Sequence, residues 1–196
     1  MGFDLSGLNP QENTPKPEAV TKWYNEDGWV QWKEMEKVEG ASVEYFDAQQ
    51  KWMKENPGDY FRANIWYWRP LWDYVCHVCD DILTEEDMEK GTYNDGHEID
   101  NDKALDISIR LKTLHKDGDI LKHQIEREAY LKGLDKVECT ICKGTGQRDD
   151  EYVKGDCNSC NGKGKVENFS TNYPFDADSV LEFANFCEQS GGFSIC

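Results

Sequence analysis

The chain has 196 residues and carries 22 Lys plus Arg against 39 Asp plus Glu, a formal charge of -17. That balance argues against direct nucleic-acid binding, because a phosphate backbone is held by clustered cations. With 38% hydrophobic and 12% aromatic residues, including seven Trp and eight Phe, it is no disordered acidic tail, and its length suits one domain with an inserted module or two small ones.

The opening Met1-Gly2-Phe3-Asp4-Leu5-Ser6 lacks a basic region followed by an apolar core, and no stretch nears the roughly 18 apolar residues of a membrane span. A soluble, cytoplasmic protein without a membrane partner is expected. Gly2 and Ser6 fit the N-myristoylation pattern, a short motif that often matches by chance. Residues 1–20, rich in Pro, Asn, Gly and Glu, read as an irregular segment pinned by Phe3, Leu5 and Leu8. Short helices are predicted at about 29–38 and 43–55, the second stopped by Asn56-Pro57-Gly58. Between Tyr60 and Leu83, the three-to-four spacing of Ile65, Trp68, Leu71, Trp72, Val75 and Cys79 predicts a buried helix, kinked or started at Pro70.

Thr84-Glu85-Glu86-Asp87 has the form of a capping box with Asp in place of the usual Glu, and Gly91 closes that turn. Residues 92–101 read as a loop. Amphipathic helices follow at about 102–115 and 120–131, and a last one at about 177–189 is capped by Asp176 and ended by Gly191-Gly192. Residues 193–196 are expected to return as a short strand. The fold class predicted is α+β, a mainly helical body with a small β-hairpin four-cysteine zinc module. Residues 1–134 form the body with its irregular N-terminal segment, 135–168 the zinc-knuckle module, and 169–196 a C-terminal helix and tail packing back on the body.

Cys139-Thr-Ile-Cys142-Lys-Gly144-Thr-Gly146 and Cys157-Asn-Ser-Cys160-Asn-Gly162-Lys-Gly164 are two copies of CxxCxGxG. Two residues between thiolates let both sulfurs of a tight turn face one ion, and the glycines permit left-handed backbone. Cys139, Cys142, Cys157 and Cys160 therefore predict a single zinc ion with four ligands, which leaves no place for water or substrate and marks the ion as structural. Cys76 and Cys79 are also a CxxC pair, but no glycines follow and Asp73, Asp80 and Asp81 flank them. Buried thiols are the expectation there, ahead of a second metal or a redox pair.

The paired knuckles resemble the cysteine-rich region of the DnaJ-type chaperones, in which CxxCxGxG repeats form β-hairpin zinc knuckles. The family's region has four repeats and two zinc sites, whereas two repeats stand here over residues 139–164. The His-Pro-Asp of the J-domain is absent, since His77, His97, His115 and His123 are followed by Val, Glu, Lys and Gln. Stimulation of a partner ATPase is thus not implied. The whole chain also resembles a class of phage-encoded proteins, on Gly2-Phe3-Asp4, the run Tyr60 to Leu71, the paired knuckles and Gly191-Gly192-Phe193. That resemblance implies a viral origin, and a small phage protein fits a host-takeover or anti-defence factor.

Seven aromatics lie in the fifteen residues from Tyr60 to Tyr74, with Arg62, Asn64 and Arg69 interleaved. Aromatic planes beside guanidinium groups can stack a base and hold a phosphate, although such rings more often fill a core. From Asp73 to Asp102 there are eleven acids against Lys90 alone, a net of -10. This surface can attract a basic partner, even as a DNA mimic, or simply be solvated. The loop around Asp95, His97 and Glu98 does not follow the calcium-binding EF-hand order, and no nucleophile elbow, Walker loop or HExxH accompanies it.

The leading expectation is a non-enzymatic, zinc-stabilised binding protein that engages a host macromolecule, a host protein ahead of nucleic acid, through an exposed face for which the acidic, DNA-mimicking stretch is one candidate. One alternative is a nucleotide-binding protein or hydrolase using Arg62, Asn64, Trp66, Arg69, Asp95 and His97. Another is a chaperone-like or thiol-exchange module.

Overall fold

The computed structural model describes residues 2–196, which form an α+β fold. In chain order these are β1 (Gly2–Gly7), α1 (Glu18–Thr21), α2 (Trp32–Met35), α3 (Ala41–Glu55), β2 (Tyr60–Asn64), α4 (Ile65–Val78), α5 (Glu85–Lys90), β3 (His97–Ile99), α6 (Asn101–Asp117) and α7 (Asp119–Lys132). Then come β4 (Val137–Glu138), β5 (Gln147–Asp149), β6 (Lys154–Asp156), β7 (Lys165–Val166), a 3-10 turn at Phe169–Asn172, α8 (Ala177–Gln189) and β8 (Phe193–Ile195).

The opening segment is only partly irregular. β1 alternates Phe3 and Leu5 inward with more exposed Asp4 and Ser6, and it is an inner strand of an antiparallel sheet ordered β2-β1-β8-β3. Two inward apolar side chains are too few to mark a strand in the sequence, and both partner strands lie far along the chain. The predicted loop at 92–101 likewise contains an edge strand, β3. The expected small β element at the cysteines is therefore joined by a second, larger sheet in the body.

The single helix expected from Tyr60 to Leu83 is a strand followed by a helix. Asn64 makes the break, since its side chain accepts from the Trp66 and Tyr67 amides as an N-cap. Pro70 neither starts nor ends α4 but lies inside it, where it removes one intrahelical donor. The inward face of α4 carries Trp68, Leu71, Trp72 and Val75. Trp68 stacks on Phe3 at 5.3 Å and on Trp72 at 5.3 Å. The two indole N–H groups donate to Gly91 O and Met88 O, which ties the α5 turn to the core.

α8 lies along α6 and brings Phe183 and Phe186 onto Phe193 of β8. Leu5, Ile99, Ile107, Leu111 and Ile195 complete this fully buried centre. α1, α2 and α3 make a satellite with its own small core of Val20, Met35, Ala41 and Tyr45. The helix expected over 29–38 is only the four residues of α2, because Val30 bridges Tyr24 and the Gln31 amide donates to Trp23 O, which holds the residues before Trp32 in non-helical backbone. Among the described residues, no helix is long and apolar enough to cross a membrane.

Candidate metal centre

The two CxxCxGxG segments fold onto each other as near-copies. β4 pairs antiparallel with β7, and β5 with β6. The Cys139 amide donates to Gly164 O at 2.9 Å, and the Cys157 amide to Gly146 O at 2.8 Å. Gly146 and Gly164 have φ of 73° and 70°. A Cβ on Gly146 would stand 2.3 Å from Gly162 O, and one on Gly164 2.2 Å from Gly144 O. Glycine is thus required for two reasons at each, the left-handed backbone and the crossing of the other loop.

This crossing gathers the sulfurs of Cys139, Cys142, Cys157 and Cys160, all within 4.8 Å of one another. Cys139 Sγ is 4.0 Å from Cys157 Sγ, and Cys142 Sγ is 3.7 Å from Cys160 Sγ. A tetrahedron of metal–sulfur bonds near 2.3 Å has edges of about 3.8 Å, so the cage has the dimensions of a metal site. A disulfide would need about 2.05 Å. All four residues are buried, and the Gly146 and Gly164 amides donate to Cys142 Sγ and Cys160 Sγ at 3.3 and 3.2 Å. The Cys142 amide draws the Cys139 thiol down to about 6, while burial pushes Cys160 up to about 11. Among the described residues no His, Asp or Glu joins the cluster. Four sulfurs fill a tetrahedral set, which suits a structural ion.

Cys76 and Cys79 belong to no such cluster among the described residues. Burial pushes both thiols up to about 12 and raises that of Cys187 as well. Thiols of this kind are poor nucleophiles and poor redox partners.

The residues expected around a nucleotide fall into separate places. Arg62, on β2, has its Nε 3.5 Å from Asp4, and Asn64 is engaged as the α4 cap. Trp66 packs on Tyr173 at 5.0 Å and on Phe169 at 5.6 Å, and Arg69 donates to Tyr173 Oη at 3.2 Å. Asp95 pairs with Lys90 at 3.0 Å, and His97 Nε2 lies 2.9 Å from Asp87. Since β2 and β3 are opposite edges of the sheet, His97 and Arg62 are separated by three strand spacings, about 14 Å. The cleft beside Arg62 and Asn64, about 600 Å³, also presents Glu128, Asp176 and Glu182, a charge balance unsuited to phosphate.

Sequence reasoning missed Arg127 and Tyr173. Arg127 Nη2 donates to Tyr173 O at 3.2 Å. Arg62, Arg110 and Arg148 each pair with an aspartate, whereas Arg69 and Arg127 have no carboxylate within 4 Å among the described residues. Nothing local marks them, because Tyr173 lies 104 residues beyond Arg69.

The acidic stretch is partly compensated from within. Asp81 takes a two-pronged contact from Arg110 at 3.1 and 2.9 Å. Asp87, Asp95 and Asp100 pair with Lys103 or Lys90, which leaves seven of the eleven acids without an ion pair among the described residues. No family model, curated protein or solved structure matches the chain.

Proposed function

We propose that the chain is a non-enzymatic binding protein whose cysteine module is held by one structural zinc ion. The closed cage of four buried sulfurs, with two glycine amides aimed at it, carries this assignment. An all-sulfur tetrahedral set favours zinc among the common cations. Cys139, Cys142, Cys157 and Cys160 hold the ion, and the amides of Gly146 and Gly164 share the negative charge of the thiolates. Bound there, zinc supplies folding energy and no reaction.

The DnaJ-type form of the knuckles and the resemblance to phage-encoded proteins support a host-takeover or anti-defence factor acting in the host cytoplasm. Its partner is a host protein. The seven uncompensated acids between Asp73 and Asp102 supply long-range attraction for a basic partner, whether or not they imitate DNA. Native mass spectrometry of untagged protein, purified gently from host-like cytoplasm, tests this. One zinc per chain with a retained protein is the expected spectrum, and a folded chain without metal would contradict it.

Arg69 and Arg127 support a second reading, nucleotide capture. Neither guanidinium group has a carboxylate within 4 Å among the described residues, although the Asp73 charge is felt by both, and they lie beside the exposed rings of Trp66 and Phe169, an arrangement able to stack a base and hold a phosphate. Saturable quenching of tryptophan fluorescence by nucleoside phosphates, weakened in Arg69→Gln, is the expected result. A flat response across the panel would remove this reading.

A further inference from the structure

The satellite made by α1, α2 and α3 leaves large apolar side chains in water. Trp29 is 74% exposed, Val43 64%, Phe46 51% and Trp32 46%, against only four buried side chains in that small core. Trp32 stacks on Phe46 with ring centroids 5.8 Å apart and planes at 22°. It also meets the buried Tyr45 edge-on at 5.4 Å. Val43 precedes Phe46 by one turn of α3 and so shares its side of the helix. An exposed apolar patch of this kind marks an interaction site more often than a solvated surface.

The charge around the patch identifies what fits it. Over residues 26–47 there are seven acids against Lys33 and Lys37, a net of -5. Glu34 and Glu44 are paired with Lys37 and Lys22, whereas Asp27, Glu36, Glu39 and Asp47 have no ion pair among the described residues. Glu36 follows Trp32 by one helical turn, and Asp47 follows Val43 by one turn. A second copy of the chain would bring the same negative charge to its own image, which repels. Anionic lipid headgroups are excluded by the same sign.

We infer that the Trp32, Val43 and Phe46 face, with exposed Trp29 three residues before Trp32 in the chain, docks a basic amphipathic segment of a partner protein. The segment's apolar side chains cover the rings and its Lys or Arg groups meet Asp27, Glu36, Glu39 and Asp47. This rests on the binding-protein reading and gives that reading a surface, one separate from the Asp73 to Asp102 stretch.

The test uses the full-length, metal-loaded protein and three synthetic eighteen-residue peptides: Leu and Lys at amphipathic helical spacing, the same composition scrambled, and a Leu and Glu version, each about 27 Å long as a helix. The amphipathic Leu/Lys peptide should bind at least tenfold tighter than the scrambled one, and the Leu/Glu peptide should not bind. Binding should slow hydrogen exchange in residues 29–47, weaken with salt, and fall about tenfold in Trp29→Ala and in Phe46→Ala. Trp29→Ala should keep the parent melting temperature, since Trp29 is largely exposed, and Phe46→Leu, which keeps an apolar side chain against Trp32 and Tyr45, separates lost docking from lost packing in Phe46→Ala. Asp47→Lys, which leaves the rings intact, should also weaken binding. Equal affinity for the scrambled peptide would show generic attraction to an acidic protein and overturn the proposal. So would exchange protection confined to residues 73–102, self-association of the free protein abolished by Phe46→Ala, or partition onto anionic vesicles. If native mass spectrometry retains a host protein whose binding survives Trp29→Ala and Phe46→Ala, this surface is wrong while the binding-protein reading stands.

Discussion

Asp87 is 3% exposed, and it joins three elements through one carboxylate. It accepts from the Thr84 amide and hydroxyl at 2.9 and 2.8 Å, receives Lys103 Nζ at 2.7 Å, and faces His97 Nε2 at 2.9 Å. Burial raises its pKa, but Lys103, the Thr84 amide and His97 outweigh that and hold it well below the usual carboxylate range. A carboxylate depressed in the folded state contributes stability that is complete above its unfolded pKa, about 3.9, and is lost as pH falls through the folded value. Asp87→Ala should therefore cost about 2–4 kcal/mol at pH 7, read by urea denaturation. The deficit relative to the parent should shrink below about pH 4, and a deficit independent of pH would contradict the ion-pair account. The capping box itself is legible in Thr84 and Asp87. Lys103 and His97 are not, because their approach depends on how α6 and β3 pack.

Gly146 shows a residue whose role the repeat does encode. Gly146→Ala places a side chain at positive φ, which costs about 1–2 kcal/mol, and drives its Cβ toward Gly162 O at 2.3 Å. Metal affinity should fall at least tenfold, measured by competition with a chromogenic chelator. Unchanged affinity would show that the loop crossing is dispensable.

Among the elements, the knuckles were readable because ligand, spacing and turn chemistry recur within eight residues and then recur again. Cys142→Ser removes one of four sulfur donors, so the variant should purify without stoichiometric metal and with a melting profile that has lost the module's transition. Retention of one ion per chain would contradict four-sulfur ligation. The sheet was largely missed for the opposite reason. β1, β2 and β3 have three to six residues each, and their partners are distant in the chain. The β8 return, α3 with its stop at Asn56, and the amphipathic runs of α6, α7 and α8 were legible, whereas the apolar spacing that begins at Ile65 concealed the switch from β2 to α4. Phe193 on β8 is wholly buried among Phe183 and Phe186. Phe193→Ala should cost about 3–5 kcal/mol, and a loss below about 1 kcal/mol would mean that this strand is not part of the core.

At the scale of the whole molecule, the charge of -17 was visible at once, but its disposition was not. The structure pairs Asp81, Asp87, Asp95 and Asp100 internally and sets Arg69 and Arg127 together on Tyr173. It also leaves the rings of Trp29, Trp32 and Phe46 outside a satellite core, where spacing alone predicts only helices. The module and the body bury different residues, with the four cysteines and Val166 in one cluster and Leu5, Trp68 and Phe183 in another. Hydrogen exchange with and without a strong chelator, read alongside the metal count, tests the zinc-held module most directly. Release of one zinc per chain should abolish protection of the Cys139, Gly146, Cys157 and Gly164 amides while those of β1, β8 and α6 stay protected. Complete metal removal with those four amides still protected would contradict the account.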